Sequence, residues 1–413
     1  MSNPIAVPGT VVPSGSLATP GGAQGVQGIQ GPTAISADAG NIATLGSDSL
    51  ISVPQSSLWS ARLRSFQALG NNTFEVDQRN VGNSVTVSNS LVVDRWQVAK
   101  VGTMAATANQ AAIAVGALSL PGTNFGITRS YLHVNLTTAE PSLAAGDLLM
   151  VQQNVEGPRW RELQNDVHSM QVLVRSNVAN LSFGVALRDP STAHSLTNIL
   201  TIPTANAWTV LTLPNLPVWP AGTFVNTPGN VGYILTICLA AGSTYASPAN
   251  GTWQNGNFIS AVGQSNFAAS PVNSTFDVAY ISHEPGALCS NPPMDCPFTQ
   301  NLDDCLRYYQ KTYDTATLPG TVTVNNLKSF ITFAQASAFG PVSFVKPMAK
   351  VPTMALYNNS TGAANSVQDS LGVNHASANV LYPGTSGFGA ISYTTAVTSN
   401  AYVYAHYTAD TGW

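Results

Sequence analysis

Residues 170–176 read MQVLVRS and residues 181–187 read LSFGVAL, two short runs bounded by Asn and rich in β-branched residues. Each alternates apolar side chains with a period of two, the signature of a strand with one buried face. The pattern repeats outward in both directions: NSVTVSNSLVV at 83–93, YLHVNLT at 131–137, WTVLTL at 208–213, GYILTICLA at 232–240 and TFDVAYIS at 275–282. Gly, Pro, Asn or Asp punctuates every gap. Many such strands without intervening amphipathic helices predict an antiparallel sandwich or barrel. From 320 onward the pattern resumes in TVTVNN, SFITFAQ, TMALYN and AYVYAHYTAD. The expected fold is therefore all-β, a jelly-roll β-sandwich followed by a second, smaller β-sandwich.

The organisation expected along the chain is a Pro/Gly-rich arm at 1–35, a connector at 36–69, the jelly roll at 70–298, a bridging helix at 299–318 and the second sandwich at 319–413. The arm holds Gly22, Gly25, Gly28 and Gly31 at a spacing of three. Gly at every third position marks a triple helix, because only Gly fits at the crowded axis; a flexible Gly/Gln linker is the alternative. The helix signal is TQNLDDCLRYYQKT, 299–312. Thr299 or Asn301 can cap it, and Leu302, Cys305, Leu306 and Tyr309 share one face.

The chain has 413 residues, room for about two to three domains. It carries only 15 Lys+Arg and 19 Asp+Glu, so that 8% of residues are charged, against roughly 25% in an ordinary soluble domain. Net charge is −4. No basic stripe exists to displace counterions, which excludes an electrostatic nucleic-acid binder. Disorder of the whole chain is excluded by its ordinary apolar content. No run of 18 apolar residues is present, so no membrane insertion is expected, and the N-terminus lacks the features of a secretory signal. The chain is expected to start in a cytosol.

Chemistry has few footholds. The six histidines, His133, His168, His194, His283, His375 and His406, form no metal-ligand spacing, and the motifs of nucleophilic elbows and phosphate loops are missing from the sequence. No cofactor or metal is expected. Cys289, Cys296 and Cys305 are spaced C-x6-C-x8-C, unlike a zinc site, and a Cys289–Cys296 or a Cys296–Cys305 bridge stays open. Cys238, in an apolar run, reads as core. Glu156, Glu162 and Asp166 cluster around Trp160 in VEGPRWRELQND. Two acids flanking a sugar could hydrolyse it; a solvated strand end paired with Arg159 and Arg161 is the plainer reading.

Aromatics offer the better clue. Trp208 lies in a strand and reads as core. Trp160 sits beside the acids, and Trp219 and Trp253 lie among Pro, Gly and Asn, hence in loops, where binding residues concentrate. Asn250, Gln254, Asn255 and Asn257 surround Trp253. An indole stacking on a sugar face with amides holding the hydroxyls would make Trp253, Trp160, Trp219 and Asn255 glycan-binding residues. A loop Trp plugging the end of the sandwich is the alternative.

Several phrases carry a resemblance. NNTFEVDQRNVG at 71–82 with VVDRWQV at 92–98, LTIPTANAWTVLTLPNLPV at 200–218, GYILTICLAAGSTYASPANGTWQ at 232–254 and TFDVAYISHEPGA at 275–287 resemble a jelly-roll module of bacteriophage virion proteins. DDCLRYYQKTYD at 303–314, VSFVKPMAKVPTMALYN at 342–358 and the terminal YVYAHYTAD resemble the segment that trails this module. The arm resembles the collagen-like proximal part of phage fibres. The resemblance implies a carbohydrate-binding-like fibre or tail protein and no catalytic set. The expected function is a structural virion protein, a homotrimeric fibre anchored by its arm to capsid or tail proteins and displaying its sandwiches for adhesion to host-surface polysaccharide. A capsid head fibre or decoration protein is the alternative, and a glycan depolymerase using Glu156 and Glu162 a third reading. Its expected place is the virion, assembled in the host cytoplasm.

Overall fold

The computed structural model describes residues 67–413 except 115–117, 119–127, 221–223, 291–296, 334 and 398–399, together with a short hairpin of β1 (Thr44–Leu45) and β2 (Ile51–Ser52). The arm with Gly22, Gly25, Gly28 and Gly31 lies outside the described residues, as does Cys296 with both of its candidate bridges. The described residues from 67 onward belong to one compact unit.

The chain is all-β. A seven-stranded sheet runs in the order β15 (Trp253–Asn255), β11 (His194–Ile202), β10 (Leu181–Arg188), β13 (Val231–Ala241), β8 (Leu148–Glu156), β5 (Trp96–Val101) and β4 (Ser90–Val93). A six-stranded sheet runs β12 (Thr209–Leu216), β9 (His168–Ser176), β17 (Thr275–Pro285), β7 (Ser130–Thr138), β6 (Ala105–Ala112) and β3 (Val85–Thr86). Their inner faces share one core, in which Trp96, Phe183, Phe267, Phe276 and Tyr233 are fully buried. The period of two does the sorting. Along β9, Met170, Val172 and Val174 enter this core, while Leu173 joins a smaller cluster with Ala279 and Tyr280. A register shift in β17 between Val278 and Tyr280 moves the alternation by one residue, so Phe276, Val278 and Ile281 all reach the same core. One end of the seven-stranded sheet's outer face is covered by the 242–270 excursion, which contains the parallel pair β14 (Ala246–Ser247) and β16 (Ser260–Ala261).

The remaining strands form a third sheet around β26 (Asn400–Asp410). Its order is β23 (Asn374–Ala376), β22 (Ser366–Asp369), β26, β19 (Lys328–Phe333), β20 (Ser337–Ser343), β25 (Gly387–Ser392) and β24 (Asn379–Leu381). The far end of β26 pairs with β18 (Tyr309–Lys311) and β21 (Thr353–Tyr357). Phe330, Phe344, Phe388, Val403 and Tyr407 build a second core. The described α-helices are α1 (Gly157–Arg161) and α2 (Phe298–Leu306).

The bridging helix is shorter than its periodicity predicts. It ends at Leu306, and Tyr309–Lys311 is a strand registered against Thr408–Asp410. A sheet partner overrides helix propensity for these backbone groups. The N-cap is Pro297 rather than Thr299 or Asn301; Asn301 is buried, and its amide donates to Thr73 Oγ1 at 3.2 Å.

This stretch fastens the first sandwich to the third sheet through buried charge. Arg307 donates from Nε and Nη2 to Glu156 at 2.8 and 2.6 Å, and the Tyr308 hydroxyl donates to the same carboxylate at 2.7 Å. The Arg95 guanidinium lies 3.6 Å from the Tyr308 ring centre. Arg79 bridges Asp94 at 2.9 Å and Asp410 at 2.7 Å, and stands 4.2 Å over the ring of Tyr309. Lys311 Nζ donates to the carbonyls of Gln78, Thr315 and Thr317. Burial alone would raise the Glu156 pKa, but Arg307, the Gly229 N–H and Tyr308 together hold it below its ordinary value of 4.5. Removing one member of such a buried pair strands the other. Arg79→Met, which leaves Asp94 buried without its cation, is expected to lower the unfolding free energy by about 3 kcal/mol or more, read from urea denaturation.

Candidate functional site

The three tryptophans singled out from the sequence come together at one end of the sandwich. Short helix α1 seats Trp160, and its backbone lies close on β13. A Cβ at Gly232 would fall 2.8 Å from both Gly157 Cα and Trp160 Cβ, which only glycine avoids. Trp219 stands at the centre, its ring 6.2 Å from Trp160, 5.1 Å from Trp253, 4.8 Å from Phe224 and 5.1 Å from Tyr233. Trp160 and Trp219 are 8% and 6% exposed. This corrects the expectation of sugar-stacking platforms: both rings close the end of the core and present no open face. Trp253 is half-buried and donates weakly to the Pro217 carbonyl at 3.4 Å. Of the expected glycan-binding set, Asn255 alone is exposed, on β15 opposite His194.

The acids near Trp160 disperse. Glu156 is buried in the Arg307–Tyr308 contact, whereas Glu162 and Asp166 are exposed. Arg159 pairs with Asp304 at 2.5 Å, and Arg161 approaches Glu162 at 3.5 Å.

Behind Trp219 runs a buried polar chain that sequence reasoning missed. The Tyr233 hydroxyl meets His283 Nδ1 at 2.7 Å, His283 Nε2 meets His168 Nδ1 at 2.9 Å, and His168 Nε2 meets the Pro217 carbonyl at 3.1 Å. Burial disfavours the charged form of both imidazoles, and the Pro217 carbonyl can only accept, which together assign the rest. His168 donates from Nε2, His283 donates from Nε2 to His168, and Tyr233 donates to His283. Trp219 stacks on His168 with ring centres 5.1 Å apart. A second missed constellation lies on the outer face of the six-stranded sheet, where Asp277 meets His133 Nδ1 at 2.6 Å and Arg175 at 2.7 Å. Arg175 in turn lies 4.5 Å from the Trp208 ring. Both groups join residues more than 100 apart in sequence, so no local motif announces them.

The open end of the seven-stranded sheet's outer face is different in kind. Register places Gln97, Gln152, Thr236, Ala186 and Thr197 in one cross-strand row. Asn154, Ile234, Arg188, Ser195 and Gln254 form the next. Gln97, Gln152, Asn154, Ile234 and Gln254 are half-exposed, as are Asn257 and Phe258 at the rim, while Arg188 is 5% exposed beneath them and Thr236, Ala186, Thr197 and Ser195 are buried. Gln152 donates to Gln97 Oε1 at 2.5 Å, and Arg188 donates to Asn257 Oδ1 at 2.7 Å. Burial brings the guanidinium down to about 10, still charged at neutral pH. Such a face offers a polar ligand neutral donors and acceptors above a single cation.

No family model matches this sequence, and no curated protein does. Among solved structures the chain is similar to a family 61 carbohydrate-binding module in complex with β-1,4-galactotriose, at 8% identity and a TM-score of 0.28, over 53% of this chain and 98% of that one. It is similar to a family 11 carbohydrate-binding module from Clostridium thermocellum in complex with a β-1,3-1,4-mixed-linked tetrasaccharide, at 13% identity and a TM-score of 0.24, over 50% and 98%. The enzymatically active domain of bacteriophage CBA120 tailspike protein 4 aligns at 9% identity and a TM-score of 0.26, over 53% of this chain and 21% of that one.

Two outcomes are expected. Desolvation lowers His168 from 6.5 to about 4 and, with His168 beside it, holds His283 well below 6.5. Between these values the unfolded chain binds protons that the folded chain refuses. The stabilisation is therefore full above pH 6.5 and lost as pH falls toward 4, by on the order of 3 kcal/mol for His168. Chemical denaturation at a series of pH values measures it, and His168→Gln should flatten the slope. Trp219→Ala should cost about 3–5 kcal/mol as a core truncation, whereas Asn255→Ala should stay within about 0.5 kcal/mol, both read by denaturation.

Proposed function

We propose that this chain is a structural adhesin of a bacteriophage particle, a homotrimeric fibre held to other virion proteins by the arm at 1–35 and displaying its sandwich toward host-surface polysaccharide. The observation that carries the adhesin reading is the open outer face of the seven-stranded sheet, with Gln97, Gln152, Asn154, Gln254 and Asn257 half-exposed around Arg188. Sugar hydroxyls need neutral amides and hydroxyls at fixed positions, and a sheet holds them rigidly. Binding rather than hydrolysis is supported by Glu156, whose carboxylate is engaged by Arg307 and Tyr308.

The trimer is supported by the third sheet. Leu381, Ala390, Phe339, Ile331 and Tyr402 stand in a single cross-strand row. Phe339, Ile331 and Tyr402 are exposed, and so is Phe333 beside them. In a cyclic trimer the copies of one residue meet around the three-fold axis, where like charge is avoided, and this row holds no Asp, Glu, Lys, Arg or His. Light scattering of the purified chain should give three times the mass of one, and Ile331→Glu with Phe339→Glu should reduce it to one.

Adhesion is tested with the full chain on host cells and extracted polysaccharide. One site of this kind is expected to bind with a dissociation constant on the order of millimolar, raised a hundredfold or more by trivalency. Gln152→Ala with Asn154→Ala should lower attachment at least tenfold while melting changes little. Attachment unaffected by that pair would place the binding surface elsewhere, and no attachment to any host preparation would overturn the adhesin reading.

A further inference from the structure

Arg188 is a buried cation whose hydrogen bonds among the described residues go to neutral groups, with the Asp189 carboxylate acting on it only through its field. Its Nη1 donates to Asn257 Oδ1 at 2.7 Å, and its Nη2 donates to Gln152 Oε1 at 3.3 Å and to Thr236 Oγ1 at 2.9 Å. Its Nε has no acceptor among the described residues. Asp189, its neighbour in sequence, is engaged elsewhere: Oδ1 accepts from the His194 N–H at 2.9 Å and Oδ2 from the Ser191 hydroxyl at 2.5 Å. The contrast with the other arginines is informative. Arg79, Arg159, Arg175 and Arg307 each meet a carboxylate within 2.9 Å. Arg95 is also buried but is roofed by the ring of Tyr308. Over Arg188 the roof is Asn257 and Gln152, two half-exposed side chains that can swing away.

Two amide oxygens on the two terminal nitrogens occupy the places of the two oxygens of a carboxylate bound end-on. A guanidinium recognises a planar carboxylate in this bidentate way, more strongly than it does neutral oxygens. We propose that Arg188 anchors a subsite for an acidic sugar, whose uronic carboxylate displaces the Asn257 and Gln152 oxygens. Those amides then turn to the hydroxyls of the same sugar ring. The subsite rests on the adhesin reading and names the class of glycan it takes. Gln97, Asn154 and Gln254 on the flanking positions serve the neutral remainder of the chain.

The test uses the full chain with polygalacturonate, its fully methyl-esterified form and uncharged galactan. The free acid should bind at least tenfold more tightly than the ester, and rising salt should narrow the gap. Arg188→Met should erase the preference. Asn257→Asp places a carboxylate on the guanidinium from within the protein, so it should raise the melting temperature and also erase the preference. This second variant keeps the test decisive even if Arg188→Met fails to fold. Equal binding of acid and ester by the wild-type chain overturns the acidic subsite and leaves the adhesin reading standing. Binding of none of the three polymers counts against both. A preference that survives Asn257→Asp overturns the role of Arg188.

Discussion

The charge buried between the first sandwich and the third sheet holds the larger architecture. Glu156 closes β8, Arg307 and Tyr308 follow α2, and Asp94, Arg79 and Asp410 come from three further places in the chain. A carboxylate or guanidinium taken out of water is costly unless its partner is fixed in place. Here Glu156 and Asp410 end strands, Arg307 follows a helix and Arg79 and Asp94 sit in turns, and the rings of Tyr309 and Tyr308 cover Arg79 and Arg95. In a chain with only 15 Lys+Arg, placing Arg79, Arg95 and Arg307 at one seam concentrates scarce charge where orientation matters. Apolar contact alone would allow sliding; ion pairs with direction do not.

The same scarcity explains the two ends of the first sandwich. One end is closed by Trp160, Trp219, Phe224 and Trp253 over a chain of neutral histidines. The indoles supply area, and the Tyr233–His283–His168–Pro217 chain lets polar groups sit inside without charge. The outer sheet face is built on the opposite terms. Its amides stay half-exposed, and the Arg188 guanidinium lies under them with no carboxylate among its hydrogen-bond partners in the described residues. Closure and openness follow from whether polar groups find partners inside the protein.

Much of the fold was legible from alternation. MQVLVRS lies within β9 and LSFGVAL within β10, GYILTICLA lies within β13, and YVYAHYTAD lies within β26. The DDCLRYYQKTYD phrase stood out in the sequence, and its residues indeed form the seam. Its helical period misled beyond Leu306, because the partner that makes Tyr309–Lys311 a strand lies about a hundred residues away. The candidate site was legible only in part. Trp160, Trp219 and Trp253 are neighbours in space, as a shared role required, yet their Pro- and Gly-rich surroundings signalled exposure where the structure has burial. Loop composition reports backbone geometry and says nothing about what lies over the side chain.

By itself the sequence determined strand identity, the all-β class and the poverty of charge, because each is set by residues close together or by simple composition. Only the tertiary structure decided the roles of single polar residues. Arg188 reads as an ordinary strand end, and nothing near it announces that it will be buried without a carboxylate. His168 and His283, 115 residues apart, become one hydrogen-bonded unit only when β9 and β17 pair. Glu156 looks like half of a catalytic pair until Arg307, 151 residues on, takes its carboxylate. The physical reason is common to all three. Local preferences fix backbone geometry over a few residues, whereas the state of a charged or titratable group depends on desolvation and on partners that arrive only with the sheets.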